Sequence, residues 1–308
     1  MSRLRQVLAD YLAVRRALGY TLARPAKLLD QYLAYVESRH EAHLRLETML
    51  AWATLPPGAD RYWAAYRLSV VRRFAVHVHA IDPSTEVPAA DVLPWRPARA
   101  TPYLYTDHEL CALSAAAGTL RTPHRTATFR TLLGLLAVTG MRVGEALALD
   151  RGDIDATEHV LTIRVTKFGK SREVPVHPST VDALQAYVGR RDRPRGAART
   201  PAVLVSTAGT RLLYTNVQCT FHRLVRCAGL TARSAACRPR LHDLRHRFAV
   251  RTLLEAYERG QDPDVQLARL STYLGHVDPK ATYWYLSAAP ELLLVAGARL
   301  DRSLGATR

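Results

Sequence analysis

Apolar residues recur at three- and four-residue spacing through the first eighty positions, and this pattern predicts four helices. Gly19 ends the first, and the breaker Pro56-Pro57-Gly58 precedes the last. The predicted spans are residues 4–18, 28–36, 46–52 and about 60–81.

Prolines then cluster between residues 82 and 102 and the periodicity disappears, which indicates an extended, stiff linker. We therefore predict a helical domain over residues 1–82, a linker over 83–103 and a second domain over 104–308.

The second domain is predicted to be mainly helical. Thr106 and Glu109 form a capping box for a helix that reaches Ala117. A buried helix follows over residues 126–139, and Gly140 is a suitable terminator. Further helices are predicted near residues 179–188, 215–228 and 241–254, with a strand-like segment at 203–205.

A β-hairpin is predicted in the middle of this domain, because apolar residues alternate with polar ones over 161–165 and again over 172–176. Its turn carries Lys167 and Lys170, two of four lysines in a chain with 39 arginines. An ammonium group, unlike a guanidinium, can be tuned to release a proton. The alternative is an ordinary exposed turn.

The formal net charge of +16 and the pI of about 10.2 are typical of a protein that binds phosphate-rich partners. A base-composition bias toward arginine is the competing explanation. The four cysteines lack CxxC spacing, so neither a zinc cluster nor a disulfide framework is indicated. Without an apolar run near 18 residues or a leader, we expect a cytoplasmic protein without a membrane span.

Two segments carry the residues of a candidate active site. Arg142 lies between two glycines beside the buried helix, and Glu145 can orient it; a helix-cap ion pair is the alternative. Further on, His242 and Arg245 are three residues apart on one face of a helix, and His276 follows Gly275. Asp278-Pro279 then restarts a helix that carries Tyr283 and Tyr285. Guanidinium, imidazole and phenol groups in this order suit attack on a phosphodiester.

These segments resemble the tyrosine recombinase (phage integrase) family. The phrases that carry the resemblance are TGMRVGEAL, TKFGKSREVPV, LHDLRH and LGHVDPKATYWYL, within about residues 104–304. The resemblance implies a mainly α fold with a small β-sheet. It also implies an N-terminal four-helix, SAM-like core-binding domain and a C-terminal catalytic domain that together form a C-shaped clamp on duplex DNA.

The resemblance also implies a role for each residue. Arg142 and Arg245 would clamp the scissile phosphate, while His242 and His276 would hydrogen-bond to it. Lys167 would protonate the departing 5′-oxygen, and Tyr285 would form a 3′-phosphotyrosine. Glu145 would orient Arg142, and His246 would be an accessory. Neither a metal ion nor ATP would be required, so we expect no cofactor.

Tyr285 is preferred to Tyr283 because the two point to nearly opposite sides of a helix. Tyr285 has small neighbours such as Ala281 and Ala288, whereas Tyr283 shares its side with Leu286 and is predicted to be a core or supporting residue. A metal site at His242 and His246 is disfavoured for want of a third ligand.

The DNA contacts are predicted on basic residues interleaved with aromatic ones in the fourth helix, and on the hairpin. A solvated helix face is the alternative for the helical arginines. The predicted residues are Arg61, Arg67, Arg72, Arg73, Lys170 and Arg172.

The sequence thus predicts a site-specific recombinase for the integration, excision or resolution of a mobile element or replicon. Its partners would be DNA with short inverted repeats and three further copies of the chain, joined through the C-terminal helix into a tetramer. The location would be cytoplasmic and nucleoid-associated. The alternatives are a type IB topoisomerase and a catalytically inactive sequence-specific DNA-binding protein.

Overall fold

The computed structural model describes residues 2–55, 60–93, 100–164, 171–192, 200–276, 278 and 282–283. The chain divides into two compact units, Met1–Arg99 and Ala100–Arg308. This division falls inside the predicted linker.

The described part of the first unit contains four helices, close to the spans predicted from periodicity. Their bounds are α1 Arg3–Ala17, α2 Ala23–Ser38, α3 Leu46–Ala53 and α4 Arg61–His79. Edge-to-face aromatic pairs join the helices: Tyr32 meets Trp52 at a centroid distance of 5.3 Å, and Tyr11 meets Phe74 at 5.5 Å. Burial of side chains of this size contributes on the order of 2 kcal/mol each.

Arg67 departs from the predicted basic face of α4. Its side chain is buried, its guanidinium carbon lies 3.9 Å from the centroid of the Trp52 ring, and Nη1 donates to the Leu55 carbonyl. This position does not fit the prediction that Arg67 contacts DNA, because its guanidinium is buried and binds Trp52 and Leu55 within the unit. Arg61 and Arg73 are exposed, and Arg72 is half-buried with Nε donating to the Pro88 carbonyl at 2.8 Å.

The described residues of the second unit form seven α-helices. Their bounds are α5 Asp107–Ala117, α6 Pro123–Thr139, α7 Val143–Ala148, α8 Pro178–Asp192, α9 Tyr214–Cys227, α10 Asp243–Glu258 and α11 Pro263–Leu274. The capping box of α5 is confirmed: the Glu109 amide donates to Thr106 Oγ1 at 3.1 Å and the Thr106 amide to Glu109 Oε2 at 2.7 Å. Gly140 ends α6 in the left-handed conformation, with φ of 60°.

Three antiparallel strands in the order β1-β2-β3 form a small sheet: β1 Ile154–Asp155, β2 Val160–Ile163 and β3 Arg172–Pro175. The two longer strands confirm the predicted hairpin, in which Leu161 pairs with Val174 and Ile163 with Arg172. The inward side chains of β2, Leu161 and Ile163, are buried, and this attaches the sheet to the core of the unit.

Three features differ from the predictions. Strand β1 was not predicted, because two residues are too short to show alternation. The segment 203–205 is buried but forms only an isolated bridge, from Val205 to Arg211. Helix α11 was also not predicted, although Asp262 caps it and Pro263 occupies its first turn.

Helix α11 packs along α10 through an apolar cluster that includes Ala249, Leu253, Leu270 and Leu274. This packing sets where the carboxyl end of α11 lies. Within the described part of the chain, no helix has the length and apolarity to cross a membrane.

Candidate active site at the carboxyl end of α11

Three consecutive backbone carbonyls at the carboxyl end of α11 each accept a hydrogen bond from a different arginine. The Tyr273 carbonyl accepts from Arg172 Nε at 3.0 Å, the Leu274 carbonyl from Arg245 Nη2 at 2.8 Å, and the Gly275 carbonyl from Arg142 Nη2 at 3.2 Å. The last carbonyls of a helix lack intrahelical partners and carry the negative end of its dipole, so cations are stabilised there. The end of α11 therefore gathers three guanidinium groups from distant parts of the chain.

Gly275 allows this approach. Its φ is 68°, and a Cβ at this position would lie 2.8 Å from Arg172 Nη1. Both the left-handed backbone and the close guanidinium favour glycine at this position.

Glu145, in the first turn of α7, holds Arg142 in place at the start of that helix. The Arg142 amide donates to Glu145 Oε2 at 2.9 Å, and Arg142 Nη1 donates to Oε1 at 2.7 Å. The Arg142 side chain keeps 34 % of its surface exposed, whereas that of Glu145 keeps 8 %. Arg142 is thus anchored on one side and accessible on the other. Its predicted partnership with Glu145 is present.

The Glu145 carboxylate is ionised over the whole physiological range. Burial alone would raise its pKa, but hydrogen bonds from Arg172 and Arg142 outweigh this effect and lower the pKa to about 2.

Arg245, in the first turn of α10, is buried. Its Nη1 donates to the Gly140 carbonyl at 2.8 Å. Its Nη2 donates to the Leu274 carbonyl at 2.8 Å and lies 2.9 Å from His276 Nε2. Gly140 is needed here because a Cβ would collide with the Phe248 ring at 2.4 Å. Arg245 therefore ties the end of α6 to the end of α11.

His276 joins this arrangement with a defined tautomer. A guanidinium can only donate, so Nε2 accepts from Arg245 and the neutral ring carries its proton on Nδ1, which donates to Thr282 Oγ1 at 2.7 Å. Thr282 is buried. Desolvation first, and then the charges of Arg245 and Arg142, lower the pKa of His276 to about 4.

His242 occupies the N-cap position of α10 without a capping hydrogen bond from its side chain, and it is exposed at the surface of the same site. Desolvation of the ring by the surrounding protein is the largest cause that lowers the pKa of His242 to about 4, followed by the positive charges of Arg245 and Arg142. Its ring meets His246 edge-on at a centroid distance of 5.1 Å, while His246 Nε2 lies 3.9 Å from the buried Asp243 carboxylate. Among the described residues, no three histidine, cysteine or acidic side chains are grouped so as to hold a metal ion.

The structure brings together Arg142, His242, Arg245 and His276, with Glu145 and His246 beside them. Lys167, Lys170 and Tyr285 lie outside the described residues. Tyr283 was predicted to be a core or supporting residue; the core position is wrong, because 53 % of its surface is exposed while the preceding Thr282 is buried.

Arg172, like Arg67, does not lie where its sequence position predicts. It was assigned to DNA contact, but its guanidinium lies on Glu145, with Nη2 2.8 Å from Oε2, and its side chain is 14 % exposed. Arg172 and the apolar Val174 are two residues apart in the strand and therefore share a face. Since Val174 is buried, this spacing indicated that Arg172 also faces inward.

The two lowered histidine pKa values predict a loss of stability in acid. An unfolded histidine titrates near pH 6.5, so between about pH 6.5 and 4 the unfolded chain binds more protons than the folded one. The free energy of unfolding should therefore fall as the pH falls through this window. Glu145 adds a second loss below about pH 4.5, toward pH 2.

Urea unfolding of the parent and of a His242→Asn, His276→Asn double variant would measure this effect. Between about pH 7.5 and 5 the parent should lose on the order of 1 kcal/mol more than the variant, a figure reduced for the solvent exposure of His242. Equal losses in both proteins would contradict the assigned histidine pKa values.

Comparison with known proteins supports one family. The phage integrase family matches residues 105–291. The chain is 43 % identical over 308 residues to the Sinorhizobium fredii protein y4rB, whose name places it among the integrases/recombinases, with 98 % of each chain covered. It is 34 % identical over 201 residues to tyrosine recombinase XerD of Mycobacterium tuberculosis, which covers 64 % of this chain and 60 % of XerD.

Solved structures share the fold at low sequence identity. The integrase of transposon Tn1549, in complex with transposon right end DNA, superposes with a TM-score of 0.64 at 17 % identity, covering 98 % of this chain and 99 % of that one. The XerH site-specific recombinase bound to its difH substrate gives 0.60 at 18 % identity, covering 92 % and 81 %. From its match over most of the second unit and its similarity to y4rB along the whole chain, we conclude that this protein belongs to the phage integrase family of tyrosine recombinases.

Proposed function

We propose that the protein is a site-specific DNA recombinase that cuts and rejoins strands through a covalent 3′-phosphotyrosine at Tyr285. The observation that carries the proposal is the convergence of Arg142, Arg245 and His276 at the end of α11, where Arg245 Nη2 lies 2.9 Å from His276 Nε2. Two guanidinium groups and an imidazole around one point form a binding site for the phosphoryl oxygens of DNA.

In the proposed cleavage step, the Tyr285 oxygen attacks phosphorus and the bond from phosphorus to the 5′-oxygen breaks. The tyrosine proton passes to His242, which is neutral at physiological pH because its pKa is lowered to about 4. Lys167 gives a proton to the departing 5′-oxygen. Arg142 and Arg245 stabilise the charge that develops on the non-bridging oxygens. The reverse step, with a 5′-hydroxyl from a second duplex, completes strand exchange.

His276 changes partner in this scheme. In the free protein its Nε2 accepts from Arg245, so the ring cannot donate from that atom. A phosphate oxygen is a stronger acceptor for Arg245 and favours a protonated imidazole, which can then donate to the phosphate.

The first unit would bind the backbone of the same duplex. We assign this role to Arg61, Arg72 and Arg73, together with Lys170 of the hairpin. Arg67 is left out because its side chain is buried inside the first unit. The net charge of +16 supports a polyanionic partner. Action on chromosomal or mobile DNA would place the protein in the cytoplasm with the nucleoid.

We further propose that four copies assemble on two sites built from short inverted repeats, through an apolar segment at the carboxyl end. Deletion after residue 288 should leave binding to one site intact and abolish tetramers and recombination, because the apolar residues proposed to contact a neighbouring copy are removed. Light scattering with saturating site DNA would measure the assembly. Unchanged recombination by the truncated protein would contradict this assembly.

Strand exchange between two sites tests the proposed function against its alternatives. Inverted repeats adjacent to the gene, placed as a pair on one plasmid, should yield recombinant products. Relaxation of supercoils without exchange would instead support a type IB topoisomerase. Binding without any cleavage would support a catalytically inactive DNA-binding protein.

A further inference from the structure

Arg172 has every guanidinium nitrogen engaged within the protein. Nη1 donates to Glu145 Oε1 at 3.1 Å, Nη2 donates to Oε2 at 2.8 Å, and Nε donates to the Tyr273 carbonyl at 3.0 Å. Two parallel bonds to one carboxylate form the fork geometry that only arginine provides.

Glu145 accepts hydrogen bonds from Arg142 as well as from Arg172. Its Oε1 accepts from the Nη1 atoms of both Arg142 and Arg172, while its Oε2 accepts from the Arg142 amide and from Arg172 Nη2. One buried carboxylate thus shares its four hydrogen bonds equally between two guanidinium-bearing residues. Removal of Arg172 would leave Glu145 with half of its donors.

The location of Arg172 excludes a role as a free DNA contact. It pairs across the sheet with the buried Ile163 and keeps 14 % of its side chain exposed. Tyr273 of α11 contacts strand β3 twice: its carbonyl accepts from Arg172 Nε, and its hydroxyl donates to the Pro175 carbonyl at 3.4 Å. The Arg172 side chain therefore joins β3, α7 and the end of α11.

We infer that Arg172 is a positioning residue for strand cleavage, acting through Glu145 to hold Arg142 in the orientation that binds the scissile phosphate. The inference rests on the proposed function and assigns Arg172 to catalytic geometry instead of DNA affinity. It attributes the effect to the forked guanidinium as well as to the positive charge.

The test is an Arg172→Lys substitution, which keeps the charge but cannot satisfy both oxygens of Glu145 and the Tyr273 carbonyl. The single-turnover rate of covalent adduct formation on a nicked suicide substrate should fall about 10- to 100-fold, as expected for a misplaced catalytic group. The dissociation constant for site DNA should stay within about threefold, because the guanidinium makes no contact that binding would lose. A cleavage rate within threefold of the parent would overturn the inference.

Arg247→Lys is the matched control. Arg247 also joins a carboxylate, Asp107, to a backbone carbonyl, that of Tyr105, and its side chain is 11 % exposed against 14 % for Arg172. Loss of its hydrogen bonds to Asp107 and to the Tyr105 carbonyl should lower thermal stability but leave the cleavage rate near that of the parent. Equal rate losses in both variants would show a general structural effect and overturn the inference.

Two further measurements test the route through Glu145. In a Glu145→Gln background the additional effect of Arg172→Lys on cleavage should shrink to about threefold or less, because residues in one network are not additive. A bridging 5′-sulfur substrate, which needs no acid for its leaving group, should rescue Lys167→Ala but not Arg172→Lys. Rescue of Arg172→Lys would mean that it acts on the leaving group and would refute the route through Arg142.

Failure of the proposed function gives a different result. If the parent itself forms no adduct on either strand of its site, the recombinase proposal fails and this inference fails with it. If the parent forms the adduct and Arg172→Lys does so equally fast, only the inference fails.

Discussion

Replacement of Tyr285 by phenylalanine should abolish the covalent DNA adduct, lowering its rate by roughly 10⁴-fold or more, because the step has no other nucleophile. DNA affinity should change by less than about fivefold, since one hydroxyl contributes on the order of 1 kcal/mol to binding. Denaturing gel electrophoresis of the adduct, beside a binding titration of the same preparation, measures both quantities.

Tyr283→Phe is the matched control for this result. Tyr283 lies two residues away in the same segment and 53 % of its surface is exposed, so accessibility alone does not exclude it as the nucleophile. We expect the Tyr283 variant to form the adduct at nearly the parental rate. The opposite pattern, with loss in Tyr283→Phe and retention in Tyr285→Phe, would contradict the assignment.

Arg142→Ala should lower the rate of adduct formation by about 10²- to 10³-fold, or about 3 to 4 kcal/mol of transition-state stabilisation. The structure predicts a smaller effect on folding than on cleavage, because the side chain is 34 % exposed and Glu145 keeps its bonds from the Arg142 amide and from Arg172 when Nη1 is lost. Arg142→Lys should be intermediate, since an ammonium keeps the charge without the fork. A rate within tenfold of the parent in Arg142→Ala would refute the role.

Arg245→Ala should show a similar or larger loss of cleavage together with a lower melting temperature. Its side chain is buried, and its removal leaves the carbonyls of Gly140 and Leu274 without their donors. Calorimetry near pH 7.5 gives the fraction of the variant that is folded at the assay temperature. A loss of cleavage larger than the loss of folded protein is then a catalytic effect of Arg245. A stable protein that cleaves within tenfold of the parent would refute the role of Arg245.

Much of the architecture follows from local patterns. The helices of the first unit and α5, with its capping box, were predictable because periodicity and capping depend on neighbouring residues. Gly140 was predicted as a helix terminator, but its approach to the Phe248 ring was not, since that contact joins residues 108 positions apart in the chain.

The arrangement of the site depends on tertiary packing and was predicted only in part. The pairing of Arg142 with Glu145 was expected from three-residue spacing. The burial of Arg67 on Trp52 and the engagement of Arg172 by Glu145 were not, because arginine at a helical or strand position is usually assigned to the surface. The end of α11 as the common acceptor of three arginines required knowledge of where that helix packs.

The decisive experiment identifies the residue that becomes covalently linked to DNA. The protein would be trapped on a nicked suicide substrate, digested with trypsin and nuclease, and the peptide of residues 281–299, which follows Lys280 and ends at Arg299, sequenced by mass spectrometry. We expect a nucleotide joined through its 3′-phosphate to the Tyr285 oxygen. Attachment at Tyr283, at any other residue, or through a 5′-phosphate would contradict it.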